Sequence, residues 1–218
     1  MNDYKVARKR MVREQLKEAG VTEQPVLAAM REVPRHIFVP KLLHHRAYMP
    51  CALPIGYGQT ISQPFTVALM TALLTLQGDE QVLEIGTGSG YQAAVLSRLA
   101  RRVISVERIK PLASRAAAVL SELKYDNVEV HAVDGSAGYP GEAPYDAIVV
   151  TACAAELPEE LLHQLKDGGF LLLPMGDKVD QTLYRYQRQG DEVVVQRSVS
   201  CRFVPLKDGV LEGGREHA

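Results

Sequence analysis

Val82-Leu83-Glu84-Ile85-Gly86-Thr87-Gly88-Ser89-Gly90-Tyr91 is the stretch on which the reading of this chain turns. It is a short apolar run that ends in three glycines at alternate positions and continues into the helix-compatible Gln92-Ala93-Ala94-Val95-Leu96. A strand, a glycine turn and a helix in that order let a ligand approach the backbone closely, because glycine has no Cβ and tolerates positive φ. Glycine-rich turns are common, so spacing has to discriminate. The dinucleotide fingerprint Gly-x-Gly-x-x-Gly would need glycine at position 91, which is Tyr91. The pattern present is Gly-x-Gly-x-Gly, led by the acid Glu84.

Moving outward from this turn, strand and helix signals alternate. Val103 to Val106 is a short β-branched run, Pro111 to Leu123 an alanine-rich helix, Val128 to Val133 a strand and Tyr145 to Val150 a continuous apolar strand. Leu157 to Leu165 reads as a helix closed by Gly168-Gly169, and Phe170 to Leu173 as a further strand. Thr182 to Tyr186 and Glu192 to Val195 flank Gln189-Gly190-Asp191, an antiparallel hairpin signal. Upstream, Phe65 to Leu76 is apolar at helical spacing, and Phe38 to Pro64 is too rich in Pro and Gly for long regular elements, which marks it as a binding loop. At the N-terminal side, Val6, Met11, Val12 and Leu16 line a helix over Tyr4 to Ala19. A second helix starts at Thr22 as cap with Pro25 in its first turn, buries Val26, Leu27, Met30 and Val33, and stops at Pro34. The expected fold is α/β: a doubly wound, mostly parallel sheet with helices on both faces, an N-terminal helical addition and a C-terminal antiparallel edge hairpin. One domain over 1–211 is expected, with 1–64 the helices and loop, 65–175 the core, 176–211 the edge strands and 212–218 a frayed tail.

The bulk properties exclude several classes. The 218 residues are 46% hydrophobic and 23% charged, with a formal net charge of -1, so no basic field draws nucleic acid in. Lys5, Arg8, Lys9, Arg10, Arg13 and Lys17 crowd the first helix and read as its solvated face. Cys51, Cys153 and Cys201 are odd in number and scattered, which suggests neither a disulfide framework nor a paired-cysteine metal site. No leader pattern and no run of about 18 apolar residues occurs, and a cytoplasmic location is expected.

The acid-led glycine turn resembles the first motif of the Rossmann-like S-adenosylmethionine methyltransferases. Glu107 ends the Val103–Val106 strand at 107 − 86 = 21 positions past the first glycine, where a carboxylate can accept both ribose hydroxyls. Asp134-Gly135 follows the next strand, where the superfamily resemblance implies an acid on the adenine amino group. The loop Leu53-Pro54-Ile55-Gly56-Tyr57-Gly58-Gln59-Thr60-Ile61-Ser62-Gln63-Pro64 narrows the resemblance further. With Arg35-His36-Ile37-Phe38-Val39-Pro40, Ser105-Val106-Glu107-Arg108, Ala143 to Ile148, Leu165 to Gly169 and Arg202-Phe203-Val204-Pro205-Leu206, it makes the chain similar, over almost its whole length, to the protein-L-isoaspartate O-methyltransferase family. That resemblance implies transfer of a methyl group from S-adenosylmethionine, leaving S-adenosyl-L-homocysteine, to the free carboxylate of isoaspartyl residues in damaged proteins. It implies Ser62 as the active-site residue. Cofactor contacts are implied from Glu84, Gly86, Thr87, Gly88, Ser89, Gly90, Glu107, Asp134, Gly135 and Thr151. Substrate contacts are implied from Ile61, Ser62, Gln63, Pro64, Arg202, Phe203 and Val204. Where members often carry prolines after the fourth core strand, this chain has Thr151-Ala152-Cys153-Ala154-Ala155, which bears on local loop shape.

A side-chain carboxylate has a pKa near ~4 and is already ionised at neutral pH, so the chemistry needs alignment of its oxygen rather than a strong base. Ser62 suits that task as a hydrogen-bond donor. No Gly-x-Ser-x-Gly elbow surrounds it to make it a nucleophile, and it could also cap the following helix. His36, His44 and His45 lack a carboxylate or Cys to complete a metal site, so no metal is expected. Tyr48, Tyr57 and Phe38 read as aromatic packing under the loop. Isoaspartyl peptides and proteins are the expected partners of a monomer that binds neither nucleic acid nor membrane. A methyltransferase for small molecules and a non-catalytic peptide-binding protein are the alternatives.

Overall fold

The Gln81–Ile85 strand lies inside a seven-stranded sheet, third from one edge, in the computed structural model, which describes residues 4–213. In chain order the elements are α1 (Tyr4–Met11), α2 (Gln24–Glu32), β1 (Leu53–Gly56), β2 (Gln59–Ile61), α3 (Pro64–Leu73), β3 (Gln81–Ile85), α4 (Tyr91–Leu96), β4 (Arg102–Val106), α5 (Lys110–Glu122), β5 (Val128–His131), β6 (Tyr145–Val150), α6 (Glu159–His163), β7 (Leu165–Gly176), β8 (Gln181–Gln189) and β9 (Glu192–Cys201). The sheet order is β5-β4-β3-β6-β7-β8-β9, parallel from β5 through β7 and antiparallel at β8 and β9. After β5 the chain returns to the other side of β3, so the order reverses between β3 and β6. In open sheets that reversal opens a crevice at the carboxyl ends of the strands.

Alternation along each strand builds two cores. Val82, Val103, Ala147 and Val149 pack with Leu27 and Met30 of α2, Val67 and Met70 of α3, Val95 and Leu96 of α4, and Leu112 and Leu120 of α5. Leu83, Ile85, Ile104, Val106, Ile148 and Val150, with Leu171 of β7, face the other way, onto Leu161 of α6. A fully buried aliphatic side chain contributes about 1.5–3 kcal/mol, so these strands set the sheet position firmly. The second face is covered thinly, by the short α6 and by segments without regular structure.

Several local expectations are corrected. The first helix continues past Met11 as a π-helix over Val12–Lys17, and Met11 and Leu16, five apart as that wider turn requires, are both fully buried. Val6 falls off this seam and is 60% exposed. Glu23 rather than Thr22 occupies the cap position of α2. The Phe38–Pro64 loop holds 3-10 turns and the small β1–β2 hairpin, paired from Leu53↔Ile61 to Gly56↔Gln59. The helix expected over Leu157–Leu165 shrinks to α6. Gly168-Gly169 do not close it but lie inside β7, where pairing jumps from Tyr145↔Leu165 to Ala147↔Phe170 and the intervening residues bulge out. In the region expected to fray, Glu212 is held by Lys110 Nζ at 2.6 Å, and residues 214–218 lie outside the described residues.

Candidate active site

At the carboxyl ends of β3, β4 and β6 lies a cavity of about 380 Å³. Its floor is the Gly86–Ser89 turn with Glu84, Glu107, Gly135 and Thr151. Its outer walls are the β1–β2 hairpin with Ser62, and Val204 to Lys207 with Leu211.

The parallel register sets the acids. Glu84 pairs with Ser105 across β3 and β4, and Ser105 Oγ donates to Glu84 Oε2 at 2.5 Å and sits 2.6 Å from Thr87 Oγ1. Glu84 is fully buried, and its Oε1 has no hydrogen-bond partner among the described residues. Burial pushes its carboxyl up from an ordinary 4.5 to about 8, partly opposed by the Ser105 hydroxyl and reinforced by Glu107. Glu107 begins where β4 ends. Gly88 N donates to its Oε2 at 2.8 Å and Ile109 N to its Oε1 at 2.9 Å. Burial raises its pKa, while those two amides pull the other way. One carboxylate thus fixes both the glycine turn and the start of the next connection.

Gly86 is required sterically. It has φ +101, and a Cβ there would run into Thr151 Oγ1, which donates to the Ile85 and Gly86 carbonyls at 3.0 and 2.7 Å. Gly135 is equally confined, since a Cβ would lie 2.5 Å from Val106 Cγ2.

Of the residues singled out in the sequence, Ile61, Ser62, Glu84, Gly86, Thr87, Gly88, Ser89, Glu107, Gly135, Thr151 and Val204 all line the one cavity. Gly90 stands behind it as the left-handed cap of α4, against Ala116 and Leu120 of α5. Others are placed differently. Asp134 is not on the wall: its Oδ1 accepts from Ser136 N at 2.8 Å and its Oδ2 from Gly209 N at 2.6 Å, so it fastens the segment after Lys207 instead of facing the cavity. Those amides, set against burial, hold its carboxyl below the usual value. Gln63 is the cap position of α3, without a side-chain cap bond, and Pro64 is buried in its first turn; neither reaches the wall. Arg202 and Phe203 also stay off it, Phe203 being held through its backbone by the Gln181 side chain. Ser62 caps no helix, and its hydroxyl makes no hydrogen bond among the described residues. His36 is engaged elsewhere, with Nδ1 2.8 Å from Tyr48 Oη and its ring stacked on Tyr4.

Sequence reasoning missed Tyr57, Arg108, Ile109, Lys207 and Leu211 as lining residues. Tyr57, read as packing under the loop, sits at the hairpin tip with φ +56. Leu211 is brought in by Arg108 Nε donating to Gly209 O at 2.8 Å and by pairing of Leu211 with Ile109. The apolar pair Val210-Leu211 within a polar stretch was the only sign of it. The unusual Thr151–Ala155 loop is stitched in place by bridges Cys153↔Pro205 and Ala154↔Met175.

A switch-point crevice floored by an acid-led glycine turn, with a second carboxylate at the end of the neighbouring strand, puts the chain among the Rossmann-like S-adenosylmethionine-dependent methyltransferases. Comparison with known proteins narrows that class. Residues 7–211 match the family described as protein-L-isoaspartate(D-aspartate) O-methyltransferase, and the chain belongs to that family. A protein-L-isoaspartate O-methyltransferase of Syntrophobacter fumaroxidans is 54% identical over 206 residues, covering 94% of this chain and 96% of its own. One from Herpetosiphon aurantiacus is 51% identical over 211 residues, covering 97% and 93%. Among solved structures, a protein-L-isoaspartate O-methyltransferase superposes with TM-score 0.82 at 30% identity over 96% of this chain and 67% of its own. A Plasmodium falciparum relative, in complex with S-adenosyl-L-homocysteine, gives 0.80 at 26% identity over 92% and 98%. The chain is a protein carboxyl methyltransferase that acts on isoaspartyl residues and thereby initiates repair.

Proposed function

We propose that the cavity divides the reaction between two sides: Glu84, Gly86 to Ser89, Glu107, Gly135 and Thr151 hold S-adenosylmethionine, and Ser62, with Ile61 and Val204 beside it, holds the isoaspartyl carboxylate. The observation that carries the cofactor side is Glu84 Oε1, a fully buried carboxylate oxygen with no partner among the described residues. Such an atom is costly unless a ligand donates to it, and a cationic amino group is the donor best suited to an acid whose pKa burial has raised. Glu107 retains lone pairs beyond those used by Gly88 and Ile109, enough for a pair of ribose hydroxyls. When bound, S-adenosylmethionine supplies a methyl group on a cationic sulfur.

The protein's own work is orientation. An isoaspartyl carboxylate reaches the cavity ionised, so no residue has to remove a proton. The unengaged Ser62 hydroxyl donates to one of its oxygens and leaves the other free to react. Ile61, 4% exposed, fixes the loop that carries Ser62, and Arg115 Nη2 pins the hairpin through Ile55 O at 2.6 Å. Proximity of this kind is worth several kcal/mol of barrier.

The same reading makes the chain one domain over 1–211, a cytoplasmic monomer acting on peptides and proteins rather than nucleic acid or membrane. The three free cysteines and the net charge of -1 support it. No helix among the described residues is long and apolar enough to cross a membrane.

The test is radiolabelled methyl transfer to a matched pair of peptides, one isoaspartyl and one aspartyl at the same position. The isoaspartyl peptide should be methylated and its isomer nearly untouched, because one methylene of displacement takes the carboxylate out of line or leaves backbone groups unpaired. Equal kcat/KM for the two would defeat the assignment, as would cofactor-independent peptide binding without turnover.

A further inference from the structure

Arg35 is the largest fully buried side chain among the described residues and touches neither the glycine turn nor Ser62. Its Nε donates to Ala47 O at 2.7 Å, while Nη1 and Nη2 make no well-formed hydrogen bond among the described residues, their attraction to the Tyr91 side chain offsetting only part of the cost of burial. Its Cζ lies 4.8 Å from the centre of the Tyr91 ring. A guanidinium out of water with two poorly bonded nitrogens is costly to bury, and replacing a buried charge by an apolar side chain of similar volume is often neutral or stabilising. Stability therefore does not account for it.

What the cation does is fix Tyr91. Arg35 covers the ring, Phe38 meets it edge-on with centroids 5.6 Å apart, and Met30 Sδ accepts from its hydroxyl at 3.6 Å. Tyr91 follows Gly90, starts α4 and lines the cavity. The segment that carries Arg35 leads through Ala47 into the β1–β2 hairpin. We propose that Arg35 is a positioning residue: by clamping Tyr91 it sets the glycine turn against the N-terminal segment, so that cofactor affinity depends on a planar cation that touches neither cofactor nor acceptor. The proposal rests on the reading of that turn as the cofactor side. A planar guanidinium can stack on a ring and donate to a carbonyl at once, which an ammonium does less well.

The experiment compares Arg35→Met and Arg35→Lys with the wild type by thermal unfolding, by calorimetry with S-adenosylmethionine and by steady-state turnover. Arg35→Met should unfold at an equal or higher temperature yet bind the cofactor about tenfold more weakly, and Arg35→Lys should recover little of that affinity. Wild-type affinity in Arg35→Met, or a loss matched by a proportionate drop in thermal stability, overturns the proposal. Should Arg35→Met not fold, Tyr91→Leu replaces it as background: Arg35→Lys should have no further effect on affinity there, and an undiminished effect counts against the clamp. Glu107→Ala, measured alongside, separates the two levels. If it abolishes binding while Arg35→Met does not, only the clamp is wrong; if it binds normally, the cofactor reading fails and this proposal with it.

Discussion

The two sides of the cavity are built in different ways. The floor at β3 and β4 comes from a continuous stretch, Gln81 to Ile109, whose parallel register alone puts Glu84 beside Ser105 and Gly86 against the end of β4. The acceptor side is assembled from the hairpin near Ser62 and the segment from Val204 to Leu211, distant in sequence and outside the sheet. The floor carries buried carboxylic acids, one of them, Glu107, held by backbone amides. The acceptor walls are partly exposed and lie outside the sheet, fastened to it by contacts such as Arg115 on Ile55, Cys153 with Val204 and Leu206, and Arg108 and Asp134 on Gly209. A small cofactor of constant shape suits the first, and protein segments of varied sequence suit the second.

The largest test of that contrast is Glu107→Ala. It removes the anchor of Gly88 N and Ile109 N together with the ribose acceptor. With charge-assisted bonds at ~1.5–3 kcal/mol each, S-adenosylmethionine affinity should fall by about 100-fold or more. Calorimetry giving a Kd within about threefold of wild type would break the comparison at its firmer end.

Next in size is the pH behaviour of Glu84. Its folded pKa, about 8, stands above the ordinary 4.5, so the stability it contributes is fully present below pH 4.5 and is lost as pH rises toward 8. Against Glu84→Gln, the cofactor-free wild type should therefore lose a few kcal/mol across that window. Thermal midpoints of the two proteins at successive pH values should diverge, and a constant offset would mean Glu84 is not buried as an acid.

Ser62→Ala sharpens the other side. It should lower kcat/KM for an isoaspartyl peptide about 10- to 100-fold, the scale of one hydrogen bond to a charged group, while the Kd for S-adenosylmethionine stays within about twofold. Equal losses in both would place Ser62 on the cofactor side. Smallest is Lys110→Ala, which breaks the exposed pair with Glu212, 43% and 76% exposed at 2.6 Å. Surface pairs contribute at most about 1 kcal/mol, so chemical denaturation should scarcely register the change.

Legibility follows the same division. The strand-turn-helix at Val82 to Leu96, the β8–β9 hairpin around Gly190 and the acids at Glu84 and Glu107 were readable because periodicity, glycine spacing and strand ends are local properties. The contact of Asp134 was not legible, because nothing near it in sequence announces that Gly209, 75 positions away, donates to one of its oxygens. The α6 end failed for a related reason: glycines that usually terminate helices serve here as a bulge, a choice made by pairing with β6. On the acceptor side, composition marked a loop, and only the family resemblance singled out Ser62 within it.

Leu211 closes the cavity wall from close to the far end of the described chain, whereas Ser62 and the glycine turn come from its first half. During synthesis the hairpin and the central strands leave the ribosome well before that last wall. The sheet can take shape while the chain is still growing, but the pocket acquires its final side only once translation has passed Leu211.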